Sequence, residues 1–244
     1  MTKTMEIAIA VTPADLRARP PARLGRFDLV YLGSESCPHL LPGPGDVHRA
    51  LRSGARGIVI ASAILTERHL RPLARVVGAV IREFGEAAVS VNDVGALHLL
   101  AEKYGPRVNF SLGRLISRDF LKMDPDFLRQ LCERYRIRII ETDDARSAAE
   151  CIRSGTSPIA FHHPLQLMSV TCVCPFVGPV PAVCARPCGG KAVRLRHPKL
   201  GKREIILRHN EYLLPAGPGR LPAAQRVILT FLPGAGAAPG TDLV

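Results

Sequence analysis

Over the first 165 residues, short apolar runs alternate with longer segments whose apolar residues recur every three to four positions. Few folds accommodate that rhythm. Runs of β character read at Ile7–Val11, Phe27–Leu32, Gly57–Ala61, Ala87–Val91, Val108–Ser111, Ile137–Glu141 and Pro158–Phe161, with a last one at Val227–Phe231. Helical stretches such as Leu70–Phe84 and Ala96–Tyr104 fall between them. Asp124-Pro125 opens another, Asp126–Tyr135, with proline in the first turn, where its missing N–H costs nothing. Strands that are apolar throughout are covered on both faces, as in a parallel sheet whose crossovers are helices. Seven or eight such units predict an α/β fold of the (β/α) TIM-like barrel type rather than an open sheet. In such barrels chemistry gathers where strands end. That rule singles out Gly33–Cys37, Asn92-Asp93, Gly113-Arg114, Glu141–Asp143 and His162-His163.

After Phe161 the texture changes. Residues 162–190 are rich in Cys, Pro and Gly without a clear period, and residues 191–208 alternate basic and apolar side chains around His197–Gly201, the pattern of a hairpin. The chain therefore reads as one barrel-like domain, 1–233, with a Cys-rich loop at 162–190 and a basic hairpin at 191–208. A Gly/Ala/Pro-rich tail, 234–244, is expected to be flexible. Little chain follows the last strand, so the barrel is expected to be incomplete at its C-terminal side or closed by a partner.

With 47% apolar and 22% charged residues, the chain can bury a sizeable core, which argues against disorder. No apolar run approaches the roughly 18 residues needed to cross a bilayer, and the first ten residues lack a secretory pattern. The expectation is a soluble, cytoplasmic protein with no integral membrane segment. Lys and Arg number 33 against 21 Asp and Glu, a formal charge of +12. Such an excess favours a polyanion such as RNA, and it is equally the arginine-rich composition of a high-GC genome spread over solvated faces.

In a reducing compartment, seven cysteines do not imply disulfides. Cys132 and Cys151 stand alone in helical segments and read as buried apolar residues. Cys172, Cys174, Cys184 and Cys188 crowd one short stretch, and Cys37 lies far upstream. Cys184-Ala-Arg-Pro-Cys188 is followed by Gly189-Gly190, whose flexible backbone lets thiolates converge on a metal and N–H groups approach them. Spacing leaves iron–sulfur and zinc both open, because zinc also favours pairs of this kind.

That run resembles the signature of peptidase family U-32, whose members carry a segment similar to Cys-Ala-Gln-Pro-Cys; here Arg186 stands in place of Gln. Three further segments are similar to the family's. They are Val91-Asn-Asp-Val-Gly95, the run from His163 to Cys172, and Glu204-Ile-Ile-Leu-Arg-His-Asn210. Tyr31-Leu-Gly-Ser-Glu-Ser-Cys37 looks like a run in the branch tied to ubiquinone biosynthesis. The resemblance implies a 4Fe–4S cluster held by Cys37, Cys172, Cys184 and Cys188, with Cys174 as the alternative to Cys172. It further implies a subunit of an oxygen-independent hydroxylase, with prephenate as oxygen donor, a quinone precursor as substrate and a second family member as heterodimer partner. Other members modify bases of tRNA or rRNA, a role the basic hairpin (Arg194, Arg196, Lys199, Lys202, Arg203) would serve through phosphate contacts. Few aromatics are on hand to stack bases, with no Trp, four Tyr and eight Phe. A peptidase would need a nucleophile elbow or a His-Glu-x-x-His run, and neither is present. A structural zinc scaffold is the non-enzymatic alternative.

Among single residues, Asn92, Asp93 and His163 are the candidates for binding a polar substrate, although Asn-Asp after a strand is also ordinary capping chemistry. His162 reads as a core or capping histidine, and Asp143 or Asp144 as the cap of the next helix. Glu141 is given no catalytic role. His39 and His48 are candidates for substitute or supporting ligands near Cys37, although they read first as ordinary polar residues, and Tyr31 reads as barrel core.

Overall fold

The computed structural model describes residues 5–18, 24–155, 158–179, 183–201, 203–216 and 221–232. Strands β1 (Glu6–Val11), β2 (Leu29–Gly33), β3 (Ile58–Ala61), β4 (Ala87–Val91), β5 (Val108–Leu112), β6 (Ile137–Thr142) and β7 (Ile159–His163) lie side by side in chain order. Helices α1 (Pro13–Ala18), α2 (Pro44–Arg52), α3 (Glu67–Phe84), α4 (Val94–Tyr104), α5 (Arg114–Phe120), α6 (Pro125–Tyr135) and α7 (Ala145–Ser154) connect them. From β7 the chain passes through a cis His163–Pro164 bond into β8 (Leu165–Val170), then β9 (Val173–Cys174), β10 (Gly178–Pro179), β11 (Ala192–Arg196), β12 (Glu204–Arg208) and β13 (Glu211–Pro215). It returns to the barrel as β14 (Arg226–Thr230).

β14 pairs in parallel with both β1 and β7, closing an eight-stranded α/β barrel. An incomplete or partner-closed barrel is therefore not what forms. The eighth strand is supplied by the chain itself, with an antiparallel sheet, β11-β12-β13-β8, in the connection where a helix would ordinarily lie. Residues 162–190 are also less irregular than their composition implies, for they contain the end of β7 and all of β8, β9 and β10. The expected hairpin is present, β11 pairing antiparallel with β12 from Ala192↔Arg208 to Arg196↔Glu204. Lys202 and the tail 234–244 lie outside the described residues.

The two-residue period of a strand sends alternate side chains to opposite faces. In β2, Val30 and Leu32 join the large core under the helices, with Leu73, Val77, Val89, Leu97, Leu112 and Ile140. Tyr31, one residue between them, points inward with Ala8, Val59, Ile139, Ala160 and Ile228 to fill the barrel. A third cluster, Leu165, Leu167, Ile206 and Leu213, covers one face of the added sheet and meets Leu115 of α5. Cys132 and Cys151 are buried against the helix-covered core, as apolar cysteines. Among the described residues no helix is long and apolar enough to cross a membrane.

Candidate functional site

Two neighbouring recesses lie at the C-terminal ends of the barrel strands, and two short segments contribute to both. The first segment leaves β2. Gly33 has φ +135°, and a Cβ there would stand 2.2 Å from the Ala61 carbonyl oxygen, so only glycine lets the chain pass β3 this closely. Beyond it Glu35 faces the barrel mouth and Cys37 faces a pocket beside it. The Ser34 hydroxyl accepts the Cys37 N–H at 3.1 Å and fixes that turn. The second segment joins β12 to β13. Arg208 and Glu211 line the mouth, whereas His209 and Asn210 line the side pocket. Asn210 ties the segments together, its Nδ2 donating to the carbonyls of Ser36 (2.9 Å) and Thr171 (3.0 Å).

The side pocket gathers thiols. Cys37, Cys174, Cys184 and Cys188 all line it, with Phe176 and Val177 among its walls. Burial pushes the Cys37 thiol up to about 11, and the neighbouring thiols of Cys184, Cys188 and Cys174 push the same way. His209 Nδ1 lies 3.5 Å from the Cys188 sulfur, and the Arg186 N–H donates to the Cys184 sulfur at 3.3 Å. Arg186, Gly189 and Gly190 have positive φ, which turns the Cys184–Gly190 loop tightly around the sulfurs. Cys172, named from the sequence as a ligand, is exposed and does not line this pocket, whereas its alternative Cys174 does. His39 lines the pocket and packs edge-on against His69 at 5.4 Å, while His48 is exposed on α2. Among the described residues no three His, Cys, Asp or Glu side chains stand close enough to share a single metal ion.

The barrel mouth is polar and almost fully buried. Arg114, 2% exposed, reaches across it from the start of α5. Its Nη2 is 2.8 Å from Glu35 and its Nη1 is 3.1 Å from Asp143, and Nη1 also donates to the Leu165 carbonyl at 3.0 Å. Burial alone would raise the Glu35 carboxyl, but the Arg114 guanidinium and His162 outweigh it and hold Glu35 below its usual range. Asp143 also accepts from Arg118 and from the Leu167 N–H, so it ties α5 to β8. His162 Nε2 is 3.0 Å from Glu141 Oε2, both side chains being buried. Burial raises Glu211, against the pull of Arg208 and Arg114. The Tyr31 hydroxyl accepts from Arg226 at 2.8 Å, and burial pushes its phenol far above the ordinary value.

Asn92, Asp93 and His163, the residues picked for substrate binding, line neither recess. Asn92 instead clamps two strand ends, donating to the Ser62 carbonyl (3.0 Å) and accepting the Leu115 N–H (2.9 Å). Gly113 leaves the room for it, because a Cβ there would stand 2.4 Å from the Asn92 amide. Asp93 caps α4 through the Ala96 N–H at 2.8 Å, and Asp144 caps α7 through the Ser147 N–H, also at 2.8 Å. Sequence reading passed over Arg208 and Glu211 and gave Glu141 and His162 no chemistry. Glu35, Arg114, Glu141 and His162 do lie at the strand ends that the barrel rule selects, and that rule was the usable signal. Arg208 fell inside the Glu204–Asn210 run noted for its family likeness but was given no role, and Glu211, one residue beyond it on the added sheet, had no signal. The chain matches no protein-family model and has no significant match among curated proteins.

Proposed function

We propose that this chain is a cytoplasmic iron–sulfur protein of the peptidase U-32 kind, similar to the ubiquinone biosynthesis protein UbiV. In this reading it is one subunit of an oxygen-independent, prephenate-linked hydroxylase acting on a quinone precursor, paired with a second, UbiU-like family member. The carrying observation is the pocket in which Cys37, delivered by the end of a barrel strand, meets Cys174, Cys184 and Cys188 of the excursion after β7. Crowding in sequence does not account for Cys37.

The donor set suits a 4Fe–4S cluster. Each thiolate of such a cluster binds its own iron, so four sulfurs around one pocket fit it better than they fit a zinc ion that all ligands must share. When bound, the cluster supplies one-electron transfer or an iron at which a substrate oxygen is held. Cys37, Cys174, Cys184 and Cys188 would be its ligands, in preference to Cys172. The Arg186 N–H and the imidazole of His209 are placed to tune the sulfurs. Phe176 and Val177 give the pocket apolar walls.

An alternative from the same family is a tRNA or rRNA base hydroxylase. The observation in its favour is the exposure of β11, which presents Arg194 and Arg196 at the surface. Both arginines pair with Glu204, which neutralises part of that charge.

Anaerobic purification tests the proposal. The expected sample is brown, with about four irons per chain. Cys37→Ala, Cys174→Ala, Cys184→Ala and Cys188→Ala should each lose the cluster, while Cys172→Ala, Cys132→Ala and Cys151→Ala retain it. Colourless protein carrying one zinc would favour the scaffold reading and end this one. Equal iron loss in all seven variants would mean general instability rather than ligation. RNA that copurifies and is released steeply by salt would move the assignment to the RNA-modifying alternative.

A further inference from the structure

The excursion after β7 exposes apolar side chains where the thiols approach the surface. Between Val173 and Pro187 only Arg186 is charged, in a chain with 22% charged residues. Val173, Val177 and Val183 are 58%, 37% and 87% exposed. Val177 lines the thiol pocket, Val173 precedes Cys174 on β9, and Val183 precedes Cys184. Cys174 and Cys184 are themselves partly exposed, as is Cys37, whereas Cys188 is buried. The thiols that solvent reaches on this excursion are thus bordered by valines.

Exposed apolar groups gathered at a site mark a surface that another molecule covers. Size and charge say which molecule. A patch built on three valines is far smaller than the roughly 2,000 Å² or more of an obligate subunit interface, and belongs with weak redox encounters, below about 1,200 Å². Arg186 and Lys191 are exposed on the adjoining Cys184–Lys191 loop, and neither side chain pairs with a carboxylate among the described residues. Arg194 and Arg196, by contrast, are tied to Glu204. The whole chain carries +12. That charge repels a second copy and draws in an acidic protein.

We propose that the valine-bordered face of the thiol pocket docks a small acidic one-electron carrier protein of the ferredoxin class. The inference rests on the iron–sulfur reading of the pocket and adds the partner that exchanges electrons with it. Each encounter moves one electron: the reduced carrier is oxidised by one electron, the oxidised cluster is reduced by one, and no bond forms or breaks. Arg186 and Lys191 steer the carrier, and Val173, Val177 and Val183 make the contact.

The test titrates anaerobically purified full-length protein with oxidised plant-type ferredoxin by calorimetry, and counts its iron in parallel. Saturable binding that weakens steeply with salt is expected. Arg186→Glu, Lys191→Glu and Val183→Asp should each weaken it about tenfold or more. Arg134→Glu, in the last turn of α6 and so at the opposite end of the barrel, should leave it unchanged. Cytochrome c, a basic carrier, should not bind. Stopped-flow mixing of ferredoxin and protein in opposite redox states, in whichever direction runs downhill, should show electron exchange that is slowed in the same three variants. Absence of ferredoxin binding, equal weakening by Arg134→Glu, equal binding of cytochrome c, or a self-dimer that Val183→Asp dissociates would overturn the proposal. Should Arg186→Glu lose its iron, Lys191→Glu and Val183→Asp still decide. A chain purified without iron sinks the cluster reading and this one with it, whereas an iron-loaded chain that ignores ferredoxin sinks this one alone.

Discussion

Arg114 shows most directly how single residues hold this molecule together. A guanidinium 2% exposed survives burial only because Glu35, Asp143 and the Leu165 carbonyl take up its donors. Glu35→Gln removes one of the two charges while Asp143 remains. The expected loss is about 3 kcal/mol, the low end for breaking a buried pair. At this chain length that lowers the melting temperature by roughly 6–12 °C. A pH signature accompanies it. The folded state holds the Glu35 carboxyl below its unfolded value. Its stabilisation is therefore present above the ordinary carboxylate range and is lost as pH falls through the depressed folded value. Melting curves from pH 7 downward should show the wild type losing stability more steeply in acid than Glu35→Gln; parallel curves would refute this. Arg114 stood out in the sequence only by its place at a strand end. Its partners lie 79 and 29 positions away, a separation over which no local pattern extends.

At the scale of elements, the turn from β12 to β13 and the segment after β2 form one unit, joined by Asn210. Asn210→Ala removes both Nδ2 hydrogen bonds and should cost about 1–3 kcal/mol, at 0.5–1.5 for each bond. If that unit presents Cys37 to the other thiols, the variant should also lose iron to a chelator faster than wild type. A melting-temperature drop with unchanged iron release would separate the turn's stability from its role at the pocket. The β11–β12 hairpin was legible because mixed basic and apolar residues stand on both sides of a proline-containing turn. β8 was not legible. It pairs with β13, which is distant in the chain, and Pro and Cys on either side mask its alternation.

For the whole molecule, closure of the barrel is the decisive event. Ile228 of β14 is fully buried among the small residues and Tyr31 that fill the interior. Ile228→Ala leaves a cavity in the last strand to be added and should cost about 2–5 kcal/mol. A single cooperative melt is expected, displaced downward by several degrees or more. Two separate transitions would show that the antiparallel sheet folds independently of the barrel. The sheet packs through Leu165, Leu167, Ile206 and Leu213 toward Leu115 of α5, so one transition is the expected result.

The sequence by itself determined the class of fold. A two-residue period, a helical period and turn residues are local signals, and all eight barrel strands were placed from them, seven before the excursion after β7 and the last as Val227–Phe231 beyond it. It also determined that cysteines would gather late in the chain. Tertiary structure alone decided that β14 closes the ring, that Cys174 rather than Cys172 joins Cys37, and that Glu141 and His162 form a buried pair. Each of these depends on contacts between residues remote in the chain. Which of two cysteines two positions apart faces a pocket is set by the path of the short β9–β10 hairpin, and that path is fixed by packing rather than by any pattern local to the sequence.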